Sequence, residues 1–298
     1  MGRSIGVVMT ANIVAGLIED HKLVGELVLY PKDPEEVHGL IDLPTDPLCD
    51  VICDLIFALK PADAKLDAIG IAMPGIIRNG VVEDSPNLPQ LKGARIGDKM
   101  SALLRQRGIT APLAVFNDAD ASAAGLAATR NQLDKVVRVW TLGNGIGFGR
   151  YPDADGPFEG GHTIVSLDPK ETYCGCTGVG HLEGIMGHRA MRLRFMDMEP
   201  EEIFANARQG DTRCADFVKR WHRALAAATA TSIHIDGPGR FYFTGMNIGF
   251  LEISLLKQYL WDMVKMSPLQ SYTLEALPET PELAVIGAGA AAELDRQK

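Results

Sequence analysis

The sequence predicts an α/β protein with two lobes and a cleft between them. Its 298 residues exceed what one small core needs and suit two lobes of roughly 120–170 residues. Apolar residues make up 46% of the chain and charged residues 22%, which is typical of a globular protein. Each half of the chain begins with strand patterns and ends with helix patterns, the order found in layered α/β proteins.

The first half opens with three predicted strands and then alternates strands and helices. Hydrophobic periodicity predicts strands over 4–9, 12–18, 23–30, 66–73 and 112–116, and helices over 34–60, 96–107 and 119–129. Because Pro44 and Pro47 interrupt the helical pattern, we expect its firm part to begin near Pro47. Pro74 and Gly75 mark a turn after the fourth strand.

The second half repeats this order. Strands are predicted over 136–142, 240–244 and 283–287, with a glycine-rich loop after the first of them. Helices are predicted over 211–235, after Gly245, and in the closing GAGAAAEL. We therefore expect a small lobe over 1–116, a large lobe over 117–284, and a terminal helix over 285–298 that returns to the small lobe.

The charge and the apolar runs exclude several classes of function. The formal net charge of −9 disfavours contact with a phosphate backbone, so we expect no nucleic-acid partner. No apolar run approaches the roughly 18 residues that a membrane helix needs, and no signal peptide is visible, so we expect a cytoplasmic protein without a membrane partner.

A metal site is predicted in the segment YCGCTGVGHLE. Cys174, Cys176 and His181 follow the spacing C-x-C-x4-H, and His162 lies twelve residues before Cys174. Two thiolates and two imidazoles from one short stretch suit tetrahedral zinc, and the intervening glycines allow a tight loop. The alternative is a flexible glycine-rich loop with two free thiols, in which His181 is a surface residue.

The same segment resembles the ROK (repressor, open reading frame, kinase) family. EGGH, CGC and GVGHLE are similar to the family pattern E-x-G-H, C-x-C-G and G-C-x-E. His181 stands where the family usually has a third Cys, and Thr177 where it often has Gly. The resemblance implies a two-lobed actin-like ATPase (ribonuclease H-like) fold, a hexose bound between the lobes, a structural zinc ion and a homodimer.

The resemblance also implies a sugar site. Asn117 and Asp118 lie in FNDAD, which resembles the family's N-D-A-N, and Glu159, His162 and Glu183 flank the metal pattern. A sugar hydroxyl needs a carboxylate that accepts its proton, and Asp118 follows an apolar strand, where α/β proteins place ligands. Alternatively, Asp118 is the N-cap of the next helix, and the two glutamates are solvated surface groups.

The segment AMPGIIRNGVVEDSPNLP, at 72–89, also resembles the family. The resemblance places Gly75 in a loop beside the sugar and Asn87 near it. A turn-rich crossover without a binding role is the alternative for Asn87.

A phosphate site is predicted in LGNGIGFG, at 142–149, which resembles the family's second phosphate loop. Backbone amides there would hold the nucleotide's phosphates, and Gly245 in FTGMN would contact its adenosine. The loop residues assigned to the nucleotide are Gly143, Asn144, Gly145 and Gly147. Asn144 replaces a family Thr and Phe148 a family Gly, and a tight hairpin is the alternative.

The first phosphate motif departs from the family. Where the family has D-I-G-G-T-N, this chain has V-V-M-T-A-N, so Val7 replaces the Asp that helps to organise magnesium. Met9 and Thr10 replace two glycines and Ala11 replaces Thr, and we expect Met9 to add bulk beside the phosphates.

The resemblance implies ATP-dependent phosphorylation of a hexose or N-acetylhexosamine. Asp118 would be the general base of an in-line transfer, and Mg²⁺ would enter with ATP. The departures at Val7 to Ala11 favour an alternative, a relative that binds sugar without transferring phosphate. A repressor is disfavoured because the first strand begins by residue 4, with no helix-turn-helix before it.

Overall fold

The computed structural model describes residues 2–10, 12–32, 39–61, 65–152 and 158–296. Its contacts divide the chain into two units. Unit 1 comprises Met1–Val137, Gly149–Pro157 and Thr280–Lys298, and unit 2 comprises Arg138–Phe148 and Phe158–Glu279. Among the described residues, no helix has both the length and the apolar character that a membrane span requires.

Strands and helices alternate through most of the chain. In chain order the strands are β1 (Arg3–Met9), β2 (Ile13–Glu19), β3 (Lys22–Tyr30), β4 (Ala68–Met73), β5 (Ile76–Arg78), β6 (Val81–Asp84), β7 (Leu113–Asn117), β8 (Val137–Leu142), β9 (Ile146–Tyr151), β10 (Arg240–Thr244) and β11 (Thr273–Ala276). The helices are α1 (Thr45–Leu59), α2 (Ile96–Gln106), α3 (Asp118–Thr129), α4 (Leu182–Met186), α5 (His188–Arg194), α6 (Pro200–Arg208), α7 (Thr212–Asp236), α8 (Ile253–Met263) and α9 (Pro281–Asp295).

Unit 1 is built on a five-stranded sheet in the order β3-β2-β1-β4-β7. β1 pairs antiparallel with β2 and parallel with β4, and β4 pairs parallel with β7. Side chains alternate between the two faces of a strand. Accordingly Ile5, Val7 and Met9 lie in a core formed with α1 and α2, whereas Val8 packs beside Val285 of α9 on the other face.

Helix α9 lies unusually close to the sheet and to α3. A Cβ atom at Gly70 would lie 1.9 Å from the carbonyl oxygen of Ala288, and one at Gly6 would lie 1.9 Å from that of Val285. Gly287 meets α3 in the same way, since its Cβ atom would lie 1.7 Å from the carbonyl oxygen of Ala121. The strand predicted over 283–287 is therefore wrong. This apolar run belongs to a helix buried on several sides, which removes the amphipathic period that marks a surface helix.

The position of α3 also changes the expected lobe boundary. α3 packs with α9 in unit 1, so the chain leaves this unit near Val137, and the predicted boundary between 116 and 117 differs from the observed division. The terminal helix lies in unit 1. The helix predicted over 34–60 can be compared with the structure only from residue 39 onward, because residues 33–38 lie outside the described residues. The observed helix, α1, begins at Thr45.

Unit 2 contains a four-stranded sheet in the order β11-β10-β8-β9 and the long helix α7. The guanidinium of Arg138, at the start of β8, is fully buried and donates to the carbonyl oxygens of Gly237 (2.9 Å) and Asp236 (3.1 Å). These bonds satisfy carbonyl groups at the C-terminal end of α7, which the helix itself leaves without partners. The buried cation also suits the negative end of the helix dipole.

Several elements escaped the sequence analysis. β9 occupies most of the segment predicted as a glycine-rich loop, and the β5–β6 hairpin, β11 and helices α4 to α6 were not predicted. The start of α6 did carry a signal. Glu199 and Glu202 form a reciprocal capping box around Pro200, the first residue of the helix.

The close approach of α9 gives a test of the fold. Gly70→Ala should lower the free energy of unfolding by about 3 kcal/mol, because the new methyl group would overlap a backbone carbonyl that cannot move alone. Gly39→Ala is the control, since its Cβ atom would meet only Ile41 Cγ2 at 3.8 Å. Urea denaturation of both variants measures the difference, and equal stability would contradict the packing described for α9.

Candidate functional site

The four predicted metal ligands converge in unit 2. The ligand atoms of His162, Cys174, Cys176 and His181 all lie within 4.8 Å of one another. The two sulfur atoms are 3.4 Å apart, and Cys176 Sγ lies 3.2 Å from His181 Nδ1. The rings of His162 and His181 stack with their centroids 5.0 Å apart. We call the segment from Glu171 to Glu183 the knuckle.

The backbone of the knuckle turns through conformations that favour small residues. Thr177 has a φ of 66°, a region that a β-branched residue seldom occupies, and its amide donates to the carbonyl oxygen of Cys174 at 3.0 Å. At Gly178 a Cβ atom would lie 2.1 Å from His181 Cε1. The tight turn therefore brings the thiols and His181 together, as the spacing predicts.

The donor set fits a zinc ion. Burial raises the pKa of Cys174 to about 12; the backbone of Cys176 opposes the rise, and the side chains of Cys176 and Glu183 add to it. Burial together with neighbouring His162 lowers the pKa of His181. In the absence of a cation these groups are a thiol and a neutral imidazole at neutral pH. Two thiols and two imidazoles at mutual contact distance are the ligands that a structural zinc site uses, with the metal displacing the thiol protons.

Glu183, in the first turn of α4, joins the knuckle to the β8–β9 turn. Its Oε2 accepts from the amide of Ile146 at 3.2 Å, and its Oε1 lies 3.4 Å from the amide nitrogen of Gly175 and 3.3 Å from Cys174 Sγ. A Cβ atom at Gly145 would lie 2.5 Å from Oε2, so any larger residue there would displace the Glu183 carboxylate. The carboxylate predicted to be a sugar ligand is thus also a structural bridge.

The EGGH segment rests on β9. Gly160–His162 form one turn of 3-10 helix, in which the amide of His162 donates to the carbonyl oxygen of Glu159 at 3.0 Å. Cβ atoms at Gly160 and Gly161 would lie 2.4 Å from Phe148 Cβ and 2.0 Å from the carbonyl oxygen of Ile146. The paired glycines therefore let the turn carry His162 to the knuckle, while Glu159 remains exposed.

The segment predicted to bind phosphate forms a tight hairpin between β8 and β9. The amide of Gly143 donates to the carbonyl oxygen of Gly145 at 3.0 Å, and that of Ile146 donates to Glu183. The amide of Gly143 therefore already has a partner within the protein. The remaining residues assigned to the nucleotide lie in this hairpin, or beside it at Gly245, whose Cβ atom would lie 2.6 Å from the carbonyl oxygen of Leu142.

Two residues that the sequence analysis missed hold this hairpin. The carbonyl oxygen of Gly143 accepts from the amide of His188 at 2.9 Å and from Asn247 Nδ2 at 3.0 Å. Nδ1 of His188 and Oδ1 of Asn247 are 3.0 Å apart. Asn247 is almost fully buried and follows Gly245 closely. The polar residue just after the glycine of FTGMN was the signal in the sequence that could have identified it.

In unit 1, Asn117 is the N-cap of α3. Its Oδ1 accepts from the amides of Ala119 (2.8 Å) and Asp120 (3.4 Å), and its Nδ2 donates to the carbonyl oxygen of Gly75 at 2.9 Å. The alternative that Asp118 caps this helix is therefore wrong. Asp118 is the first helical residue, half-buried, and its Oδ1 also accepts from the amide of Ala119 at 2.9 Å.

The turn after β4 lies beside the start of α3. Gly75 has a φ of 123°, and a Cβ atom there would lie 2.3 Å from the carbonyl oxygen of Asp84, so only glycine fits. Its carbonyl contact with Asn117 joins this turn to the start of α3. Asn87 is exposed in the turn that follows β6.

Comparisons with known proteins match most of the chain. The model of the ROK family matches residues 35–289. The chain belongs to the ROK family. It is 30% identical to a glucokinase of Pyrobaculum calidifontis over 180 residues, which span 55% of this chain and 58% of that relative, less than two thirds of its length. It is 28% identical to a glucokinase of Thermotoga maritima over 254 residues, 74% of this chain and 77% of that relative.

A solved structure extends the match to the whole fold. The ROK hexokinase of Thermus thermophilus superposes with a TM-score of 0.79 over 99% of both chains, at 21% identity. The chain therefore has the two-lobed actin-like ATPase fold of the ROK family.

The family match leaves out the first 34 residues, which include the altered first phosphate motif. Val7 and Met9 are fully buried in the core of unit 1, and Thr10 is exposed; Ala11 lies outside the described residues. The expectation that Met9 adds bulk beside the phosphates is therefore wrong. Because side chains alternate along β1, this ROK chain turns Val7 and Met9 towards α1 and α2.

The bonds of Asn117 give a second test. Asn117→Ala should lower the free energy of unfolding by about 1–2 kcal/mol, because α3 loses its cap. Asn117→Ser keeps a capping oxygen while losing the bond to Gly75, so it should lose less. Thermal or urea unfolding of the two variants compares them; an Asn117→Ala protein as stable as the wild type would show that the cap contributes little.

Proposed function

We propose that this ROK protein transfers the γ-phosphoryl group of ATP to a hydroxyl group of a hexose or N-acetylhexosamine. The observation that carries the proposal is the half-buried Asp118 at the first position of α3, with Asn117 fixed beside it as the helix cap. The names of the related proteins, glucokinase and hexokinase, support the substrate class.

Asp118 would act as the general base. A helix N-terminus favours a negative charge, and an ionised carboxylate there can accept the hydroxyl proton as phosphoryl transfer proceeds. The bond from the amide of Ala119 to Oδ1 orients the group. Since both oxygens of a carboxylate accept hydrogen bonds, this orientation is compatible with proton acceptance.

The sugar would be held by polar groups of the family motifs. We assign Glu159, His162 and Glu183 to its hydroxyl groups, together with Asn117, Gly75 and Asn87. The carbonyl oxygen of Asn117 is engaged by the helix cap and one of its amide hydrogens by Gly75, so its remaining hydrogen is the donor we assign to the sugar. Glu183 would share its carboxylate between the sugar and the hairpin.

The nucleotide would be held at the β8–β9 hairpin. We assign its phosphates to Gly143, Asn144, Gly145 and Gly147 and its adenosine to the segment at Gly245. Mg²⁺ would enter with ATP as its counter-ion and spread the charge of the phosphates. Because Gly143 and Ile146 donate within the protein, Asn144 and Gly145 are the turn residues we expect to contribute amides.

Zinc would have a structural role in this proposal. Bound by His162, Cys174, Cys176 and His181, it would cross-link the EGGH turn to the knuckle and thereby hold His162 and Glu183 in place. A homodimer is the state that the family resemblance leads us to expect, and the cytoplasm is the location that we propose for it.

One observation favours a second candidate, a protein that binds sugar without phosphorylating it. Val7 stands where the family has the Asp that helps to organise magnesium, and its side chain is buried among apolar groups. Val7 therefore cannot bind a metal ion through its side chain.

A coupled assay of ADP release over a panel of hexoses and N-acetylhexosamines separates the two candidates. The kinase proposal expects turnover with at least one sugar and a rise in melting temperature with Mg-ATP. The binding candidate expects a thermal shift with sugar, none with Mg-ATP, and no turnover. The second pattern would refute the kinase proposal.

The role of Asp118 can be tested on the active sugar. Asp118→Asn should lower kcat by a factor of about 10²–10⁴, because an amide cannot accept the proton, and should leave sugar affinity nearly unchanged. Asp120→Asn is the matched control, because Asp120 is the next acidic residue of α3. An asparagine there can still accept from the amide of Arg150, as Asp120 does. Full activity in Asp118→Asn would exclude it as the base.

Metal analysis tests the zinc assignment. The purified chain should hold about one zinc ion, and Cys174→Ser or Cys176→Ser should lower the zinc content and the melting temperature. Cys214→Ala, which removes a buried thiol of α7 outside the knuckle, should leave the zinc content unchanged. Elemental analysis reads the content directly, and a wild-type chain without zinc or any comparable metal would refute the site.

A further inference from the structure

A buried carboxylate outside the metal and sugar residues is held by two arginines. Glu171 is 5% exposed, and its two oxygens accept from Arg194 Nη1 at 3.0 Å and Nη2 at 2.5 Å. Nη2 of Arg220, on α7, lies 2.6 Å from Glu171 Oε1. Burial alone would raise the pKa of Glu171, but the two guanidinium groups outweigh it and the pKa is lowered, so the group is ionised at neutral pH.

These three side chains, which we call the Glu171 triad, reach both ends of the knuckle. The carbonyl oxygen of Glu171 accepts from the amide of Gly180 at 2.7 Å, which closes the loop that contains both cysteines. Arg194 also donates to the carbonyl oxygen of Gly184 at 3.1 Å, directly after Glu183. Its guanidinium lies 4.3 Å over the ring of Tyr173, directly before Cys174.

Two other ion pairs of unit 2 have a different setting. Lys219 with Asp216 and Arg213 with Asp197 are pairs whose side chains are all more than half exposed. Exposed pairs are screened by water and contribute little. A buried charge is expensive to desolvate, so a buried triad is a poor source of net stability, and its value lies in the single geometry that its bonds allow.

We propose that Glu171 is a positioning residue for the proposed kinase, which sets the knuckle through Arg194 and Arg220. Arg194 contacts the start of the loop at Tyr173 and its exit at Gly184, and the backbone carbonyl of Glu171 closes the loop at Gly180. Cys174, Cys176, His181 and Glu183 lie between Tyr173 and Gly184, so the loop is preorganised before metal or sugar binds. This inference rests on the proposed function for its effect on sugar, but its effect on the knuckle stands apart from it.

Glu171→Gln is the direct test, because it keeps the shape of the side chain and removes the charge. Residues that orient metal ligands without binding the metal themselves typically lower metal affinity by about 10- to 100-fold when they are replaced. We expect zinc affinity, measured by competition with a chelator, to weaken by such a factor. We expect faster amide hydrogen exchange over 172–183 in metal-free protein, and a higher KM for the sugar with kcat unchanged.

Matched variants separate positioning from a general loss of stability. Arg194→Gln should reproduce Glu171→Gln, whereas Arg192→Gln should not, since Arg192 lies on the same helix and pairs with Glu199 at the surface. Arg220→Gln removes one arm of the triad at a side chain that is 39% exposed, so it should fold even if Glu171→Gln does not, with a smaller effect in the same direction.

The readouts keep this inference distinct from the kinase proposal. If the wild-type chain phosphorylates no sugar, the kinase proposal fails, while zinc affinity and amide exchange still decide the role of the triad. Wild-type zinc affinity and exchange in a folded Glu171→Gln protein, or in Arg220→Gln where Glu171→Gln is unfolded, would overturn the positioning role. A loosened knuckle with an unchanged KM in an active enzyme would overturn its link to the sugar.

Discussion

The arrangement of unit 2 depends on the contacts that the carboxylate of Glu183 makes. It accepts from the amide of Ile146 in the β8–β9 hairpin and lies against Gly175 and Cys174 in the knuckle. Segments that are far apart in sequence thus share one charged acceptor. Since a charge-assisted hydrogen bond is stronger than a neutral one, this contact sets the position of the hairpin relative to the knuckle within unit 2.

Close backbone approach is the second constraint, and it explains several glycines. Gly145 leaves room for Glu183, Gly161 lets the EGGH turn touch β9, and Gly70 lets α9 approach the sheet. In each case a Cβ atom would lie 2.5 Å or less from another atom, so these glycines provide space. The glycine-rich segments of the sequence are therefore packing surfaces as well as candidate binding loops.

Much of unit 1 and the convergence of the Cys/His cluster could be predicted from sequence. Short apolar runs mark β1 to β4, and the spacing of Cys174, Cys176 and His181 is set by one short turn, so both signals are local. The start of α9 could not be recognised, because burial on several sides makes a helix as uniformly apolar as a buried strand. The Glu171 triad was missed since it joins residues separated by 23 and 49 positions, a distance at which the sequence alone pairs no charges.

In the candidate site, too, the sequence revealed local motifs but not long-range contacts. Family motifs brought Asn117, Asp118 and the knuckle to attention, but they did not reveal that Asn117 caps α3 or that His188 and Asn247 hold the hairpin. Those roles depend on which polar atoms meet after folding. They narrow the proposed chemistry, because an atom already bonded within the protein is less available to a ligand.

The exchange rate of the Ile146 amide proton measures the central contact most directly. It can be followed by NMR in the wild type and in Glu183→Ala, with Glu199→Ala as a control for loss of a surface carboxylate in the same unit. The account predicts strong protection in the wild type and in the control, and much faster exchange in Glu183→Ala. Equal protection in all three proteins would show that Glu183 does not hold the hairpin, and would contradict the account.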